Sequence, residues 1–339
     1  MWDSSVSPAS SLSRGFLSLP ELFSIFALME QVRKNSARAW LLAARPKTLS
    51  AALIPVVTSS ALAFASGPFR LLPVLGCMLF AALMQIAANF INDLFDFLKG
   101  TDGEERLGPE RACAQGWISP SSMKRGIALM LVLAAIVGLA TFYGSIITSP
   151  SAFVADNLLL ITAYFLLVGL ACLVFAFLYT TLLSYCGLGD VLVYLFFGFV
   201  PVAGTYFLLT GWLIPEVWWL SAAVGLITDT LLVLNNYRDR DTDRACGKRT
   251  LIAVLGGRFG SWFYLLQGVF GALCFSALAF YGLLSAPLVL LYLLPHFLTW
   301  REMVRINRGR ELNKILGKTS RNMLFFACLA VLSLVFCIV

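Results

Sequence analysis

Long stretches without charge alternate along the chain with short polar runs rich in Asp, Lys and Arg. Residues 71–91, "LLPVLGCMLFAALMQIAANFI", hold no charged side chain and lead straight into "NDLFDFLKGTD" at 92–102. An apolar run of about 18 or more residues spans the ~30 Å hydrocarbon core of a bilayer as a helix. Nine crossings are predicted, at 49–67, 72–96, 126–147, 155–179, 187–211, 214–237, 260–282, 284–300 and 322–338. The seventh and eighth are parted by "GLLSAP", where Gly282 and Pro287 predict a tight turn. Residues 1–40 are expected to form a cytoplasmic N-terminal segment, and 41–339 a single transmembrane domain. Asp3 in place of a basic start, with no long apolar core behind it, argues against a cleaved signal peptide. The amphipathic "LPELFSIFALMEQVRK" fits an interfacial helix or a disordered lead.

Composition agrees: 59% hydrophobic residues, 13% charged and a mean hydropathy of +0.84 exclude an ordinary soluble domain. The 25 Lys and Arg then orient the chain. With nine crossings, all but Arg70 fall on one side, which predicts a cytoplasmic N-terminus by the positive-inside rule. The net charge of +7 is therefore a one-sided basic surface suited to lipid headgroups or a diphosphate, not to nucleic acid. Eight cysteines form no CxxC pair and read as reduced, buried thiols; the single His296 reads as structural.

Two polar runs carry the candidate chemistry. "NNYRDRDTDRACGKRTL" (235–251) repeats the design of the first at a spacing of 143 residues. Asn92 falls on Asn235, Asp93 on Asn236, Asp96 on Asp239 and Gly100 on Asp243, which suggests two four-helix halves plus a ninth helix. Helical spacing puts Asp93 and Asp96 on one face, and Asn235, Asp239 and Asp243 on another. Both runs lie at helix C-termini, where the macrodipole disfavours each carboxylate by ~0.3–1 kcal/mol. Burial near lipid adds up to ~2.5–3.5 kcal/mol each at mid-membrane, so positive charge must offset it. Oxygen-only ligands suit Mg²⁺ shared with substrate phosphates, and facing acidic ladders form a seat for a diphosphate leaving group.

At these residues the chain resembles the UbiA superfamily of intramembrane prenyltransferases, whose signatures are NDxxDxxxGxD in the first polar loop and DxxxD in the second. "NDLFDFLKGTD" and "DRDTD" both fit. "ARPKTL" (44–49), "GPERACAQGWISP" (108–120), "YCGLGDVLVYLFFGFVPVAGTYF" (185–207) and the 235–251 run resemble its menaquinone branch. Asp190, after "GLG", keeps the charge where a Glu was expected. The resemblance implies an all-α fold of nine transmembrane helices around a cytoplasm-facing cavity. It also implies transfer of a polyprenyl group from its diphosphate to 1,4-dihydroxy-2-naphthoate, with loss of CO2, giving demethylmenaquinone.

By that resemblance Asn92, Asp93, Asp96, Asp239 and Asp243 hold Mg²⁺ and through it the diphosphate, with Asp102 adding to the first cluster. Arg111, Lys248 and Arg249 supply direct charge, and Asn235 and Asn236 further hydrogen bonds. Arg45 or Lys47 meets the acceptor's carboxylate or the diphosphate, unless both only anchor the membrane surface. Tyr179 stabilises the allyl cation or orders the diphosphate, unless it is a belt aromatic. Asp229, seven residues before Asn236, lies on the same face and has a Thr partner (Thr228 or Thr230) as its bland explanation. Other acceptors, 1,4-dihydroxy-6-naphthoate, 4-hydroxybenzoate or a protohaem, stay open. So does a cation-coupled transporter, whose acids would lie near the bilayer midplane rather than at helix ends.

Overall fold

The computed structural model describes residues 32–67, 69–100, 107–148 and 152–336, and among these every regular element is helical. Arg14, Asp102, Arg106, Cys337 and most of the expected N-terminal segment lie outside the described residues. Helix α1 (Ala37–Ala44) runs through the expected boundary at residue 40, capped by the Ser36 hydroxyl, which accepts from the Ala39 N–H at 3.2 Å. Arg45 then takes a left-handed φ of +52° and turns the chain into α2 (Pro46–Ser66), with Pro46 at its first position. There follow α3 (Leu71–Leu98), α4 (Pro120–Ile147), the short α5 (Ala152–Asp156) and α6 (Leu158–Thr181). Next, α7 (Gly189–Tyr194) passes through one π turn, Leu195–Phe199, into α8 (Val200–Thr210). The chain closes with α9 (Pro215–Ala245), α10 (Leu251–Ser276), α11 (Leu293–Ile306) and α12 (Leu312–Phe336).

Among the described residues, eight helices are long and apolar enough to cross a membrane: α2, α3, α4, α6, the α7–α8 unit, α9, α10 with its extension to Tyr281, and α12. The expected eighth crossing is built differently. It is a 3₁₀ segment, Ala286–Tyr292, continued by α11. Pro295, third in α11, has no N–H to return to the Leu291 carbonyl, so one α-helical bond is missing at that junction. A short helical segment from Leu251, capped by the Thr250 hydroxyl accepting from the Ala253 N–H at 3.1 Å, precedes the seventh crossing. Gly256 (φ +88°, ψ 171°) breaks the helix between them, so the crossing itself starts just after Gly256, close to the expected residue 260. At about 1.5 Å per residue, the 31 residues of α9 outrun the hydrocarbon core, so the second polar run is helix as far as Ala245 rather than loop.

The largest core joins α2, α8, α9, α10, the 286–292 segment and α12 through Leu62, Val202, Tyr206, Ile227, Phe275, Tyr292 and Phe326. The outer surface is apolar as well: of the α6 residues only Ile161 and Thr180 are buried, and Leu159 is 85% exposed. Surfaces of this extent are stable only against lipid, so the chain is a multi-pass integral membrane protein. Arg70, the charge set apart by the sequence, reaches the carbonyls of Leu208 and Leu209 (3.3 Å each) and Ser145 (2.9 Å) and the Thr148 hydroxyl. It thereby neutralises the negative C-terminal ends of α4 and α8.

The π turn brings Gly198 against α9, where an added Cβ would lie 2.7 Å from the Ser221 carbonyl oxygen and 2.8 Å from Gly225 Cα. Backbone cannot yield as a side chain does. Gly198→Ala is expected to destabilise the fold by about 1–3 kcal/mol, read as a lower thermal-unfolding midpoint in detergent micelles. Gly144→Ala, with nothing within 4 Å of the new carbon, should leave that midpoint unchanged.

Candidate functional site

A cleft opens where helix ends from both halves converge. One wall carries Asn92 and Asp96 from α3; the other carries Asn235, Asn236 and Asp239 from α9. Two motifs 143 residues apart thus face one hollow. Arg45 enters from the joint of α1 and α2, Arg111 from the loop before α4, Tyr179 from the end of α6, and Lys248 from the turn before α10. Lys47, the alternative to Arg45, is exposed and outside the cleft, and so is Arg249.

The acids are neutralised one by one. Asp96 pairs with Arg111 at 2.6 Å. Asp239 is clasped by Arg238, whose Nε and Nη2 donate to its two oxygens at 2.7 and 2.6 Å. Arg238 is itself buried and donates from Nη1 to Asn313 Oδ1 at 2.9 Å, while Asn313 Nδ2 donates to the Leu107 carbonyl at 2.8 Å. One amide on α12 therefore ties the first polar loop to the second motif. Asp96 and Asp239 keep 22% and 27% side-chain exposure, so both remain accessible from the cleft.

Asp93 departs from its expected place. It is 1% exposed, does not line the cleft, and accepts the backbone N–H groups of Ala112 and Cys113 at 2.8 Å each. Both oxygens serve the loop that presents Arg111, so Asp93 builds the site instead of facing it. Asp243 also lies off the cleft, one turn beyond Asp239, with Lys248 Nζ at 3.5 Å and a buried Oδ2 that has no partner. Asp229 is buried away from the cleft, and its partner is Gln267 Nε2 on α10 at 2.7 Å, not a threonine. Thr230 instead donates to the Ile227 carbonyl.

Residues without an expected role complete the walls. The Thr180 hydroxyl donates to Asn92 Oδ1, and Lys99 Nζ donates to the carbonyls of Thr180 (3.3 Å) and Thr181 (2.8 Å). Lys99 also sits 3.8 Å over the Tyr185 ring. Partial desolvation lowers its pKa from the ordinary lysine value, with Asp96 pulling it up and Lys248 pushing it down. Lys99 and Arg238 were visible beside the motifs; Asn313, 75 residues from Arg238, gave no signal.

Among the described residues no three His, Cys, Asp or Glu side chains form a ready metal cluster. The donor set still fits a hard cation. Carboxylate and amide oxygens stand on opposed walls of an open cleft, leaving room for the phosphate and water ligands that Mg²⁺ prefers.

Residues 52–329 match the model of the UbiA prenyltransferase family. A 1,4-dihydroxy-2-naphthoate octaprenyltransferase of Escherichia coli (strain K12) is 36% identical over 231 residues, covering 67% of this chain and 72% of its own. The protein of that name from Mycobacterium tuberculosis (strain ATCC 25618 / H37Rv) is 31% identical over 302 residues, covering 85% and 94%. The structure of a UbiA homolog from Archaeoglobus fulgidus bound to DMAPP and Mg²⁺ has the same fold, with a TM-score of 0.58 at 13% identity, over 88% of this chain and 99% of the other.

The Asp93 geometry yields a stability test. Asp93→Asn puts an amide where two N–H donors need two acceptors, an expected loss of about 1–3 kcal/mol in thermal unfolding. Asp241→Asn, half-exposed and 3.5 Å from Arg308, should move the midpoint little.

Proposed function

The chain belongs to the UbiA prenyltransferase family, and we propose that it transfers a polyprenyl group from polyprenyl diphosphate to 1,4-dihydroxy-2-naphthoate, releasing CO2 and giving demethylmenaquinone. The observation that carries this reading is the opening of both Asn/Asp motifs into one cleft edged by Arg45, Arg111 and Lys248. The relatives from Escherichia coli and Mycobacterium tuberculosis favour this acceptor over 4-hydroxybenzoate. A transporter site near the midplane fits less well, because helix ends and loops form the walls.

In this reading Asn92 and Asp96 on one wall, and Asn235, Asn236 and Asp239 on the other, would hold Mg²⁺, whose charge would offset that of a departing diphosphate. Arg111 and Lys248 bind phosphate oxygens directly, and Arg45 closes the same side. The Tyr179 ring presents its π face to positive charge on the allylic carbon. Apolar helices beneath exclude water that would quench that carbon. Asp93 positions Arg111, and Asp243 holds Lys248. In the same reading the 286–306 segment is the eighth of nine crossings and residues 41–339 form one domain. The one-sided distribution of Lys and Arg along the chain supports a cytoplasmic cleft and N-terminal segment under the positive-inside rule.

Purified protein in nanodiscs, given geranylgeranyl diphosphate and the naphthoate, should form a product lighter by CO2 than the simple adduct on mass spectrometry. EDTA should stop turnover and Mg²⁺ restore it. Asp239→Ala should lower turnover by roughly 10²–10³-fold while the protein stays folded. Full turnover by this variant, or turnover in EDTA, would remove the mechanism.

A further inference from the structure

Three acids line the cleft among the described residues: Asp96, Asp239 and Asp190. The first two are bound by arginines. Asp190 is different. It is 7% exposed, its Oδ1 is buried without a hydrogen-bond partner, and no Lys or Arg pairs with it. It follows the Gly187 turn (φ +77°), at the end of the cleft where the Tyr179 ring lies 3.8 Å from the point a Gly189 Cβ would occupy. The titratable groups that face it are Tyr179 from α6 and Asp229 from α9, and neither brings positive charge.

An unpaired buried acceptor is costly to maintain unless something donates to it. A diphosphate would be repelled there. A hydroxyl would be held. Beside its cations and metal-type oxygens, the cleft thus holds one carboxylate that no cation pairs with among the described residues, next to Tyr179.

We infer that Asp190 is the acceptor-side catalytic residue: its Oδ1 accepts a hydrogen bond from a ring hydroxyl of the aromatic acceptor and takes that proton as the ring attacks. The inference rests on the aromatic prenyl transfer proposed above. The step balances. As the O–H proton passes to Asp190, oxygen electrons enter the ring, the ring carbon bonds the allylic carbon, and the allylic C–O bond breaks with its pair leaving on diphosphate. The C–CO2 bond then breaks, its electrons return to the ring, and Asp190 gives the proton back to the oxygen. No proton is gained or lost by the enzyme over the cycle.

The test uses the full chain in nanodiscs with 1,4-dihydroxy-2-naphthoate and, as an unreactive donor probe, geranylgeranyl thiodiphosphate with Mg²⁺. Asp190→Asn should lower kcat/KM for the naphthoate by ~10²–10⁴-fold, while Kd for the donor probe stays within about threefold. Asp190→Glu should recover about tenfold or more of that loss. Asp190→Asn turnover within about threefold of the parent would overturn the assignment, and so would loss of donor-probe binding in both variants, which would mark a structural role. A parent protein that prenylates no hydroxylated aromatic acid would defeat the proposed function and this inference with it. An active parent with an indifferent Asp190→Asn defeats this inference alone.

Discussion

A carboxylate at the C-terminal end of a membrane helix is opposed twice, by the helix dipole and by the nearby hydrocarbon. The structure around the cleft follows from meeting that constraint one acid at a time. Asp93 takes two backbone N–H groups, Asp96 takes Arg111, and Asp239 takes the fork of Arg238. Each solution also fixes something else. The Asp93 bonds set the 111–113 loop, that loop aims Arg111, and Arg238 draws Asn313 and the 107 segment into the same network.

The pairs at Asp96 and Asp239 leave both carboxylates open to the cleft while Arg111 and Arg238 are buried. Buried ion pairs add little net stability, since desolvation offsets attraction. They do hold the two acidic side chains in place at the cleft for a cation-bearing substrate. Asp190 is the exception, the lining acid without a cation partner among the described residues. At the far membrane boundary Arg70 solves the reverse problem, a lone cation satisfied by helix-end carbonyls.

Much of this was legible because it is local. A span announces itself by an unbroken apolar run, and eight of the nine expected runs are helices of spanning length. The remaining run is also apolar, but its first half, Ala286–Tyr292, winds as a 3₁₀ segment, and hydropathy does not sense the difference between 3₁₀ and α turns. The two motifs were legible as acids at helix ends, and the prediction that Asp93 and Asp96 share a face agrees with their both gripping the 111–113 loop.

The sequence by itself determined the class of the molecule, the places where helices leave the bilayer, and the residue types brought there, since each depends on neighbours a few positions away. Only the tertiary structure decided which acid meets the cleft. Three residues turn a helix by about 300°, so Asp93 and Asp96 sit about 60° apart, enough to send one into the wall and the other into the hollow. Four residues carry Asp243 about 6 Å past Asp239 and out of the cleft. Gln267 as the partner of Asp229, and Asn313 as the link between the two motifs, come from segments 38 and 75 residues away. Such contacts are set by how helices rotate and lean on one another, and the periodicity of a single helix holds no record of that.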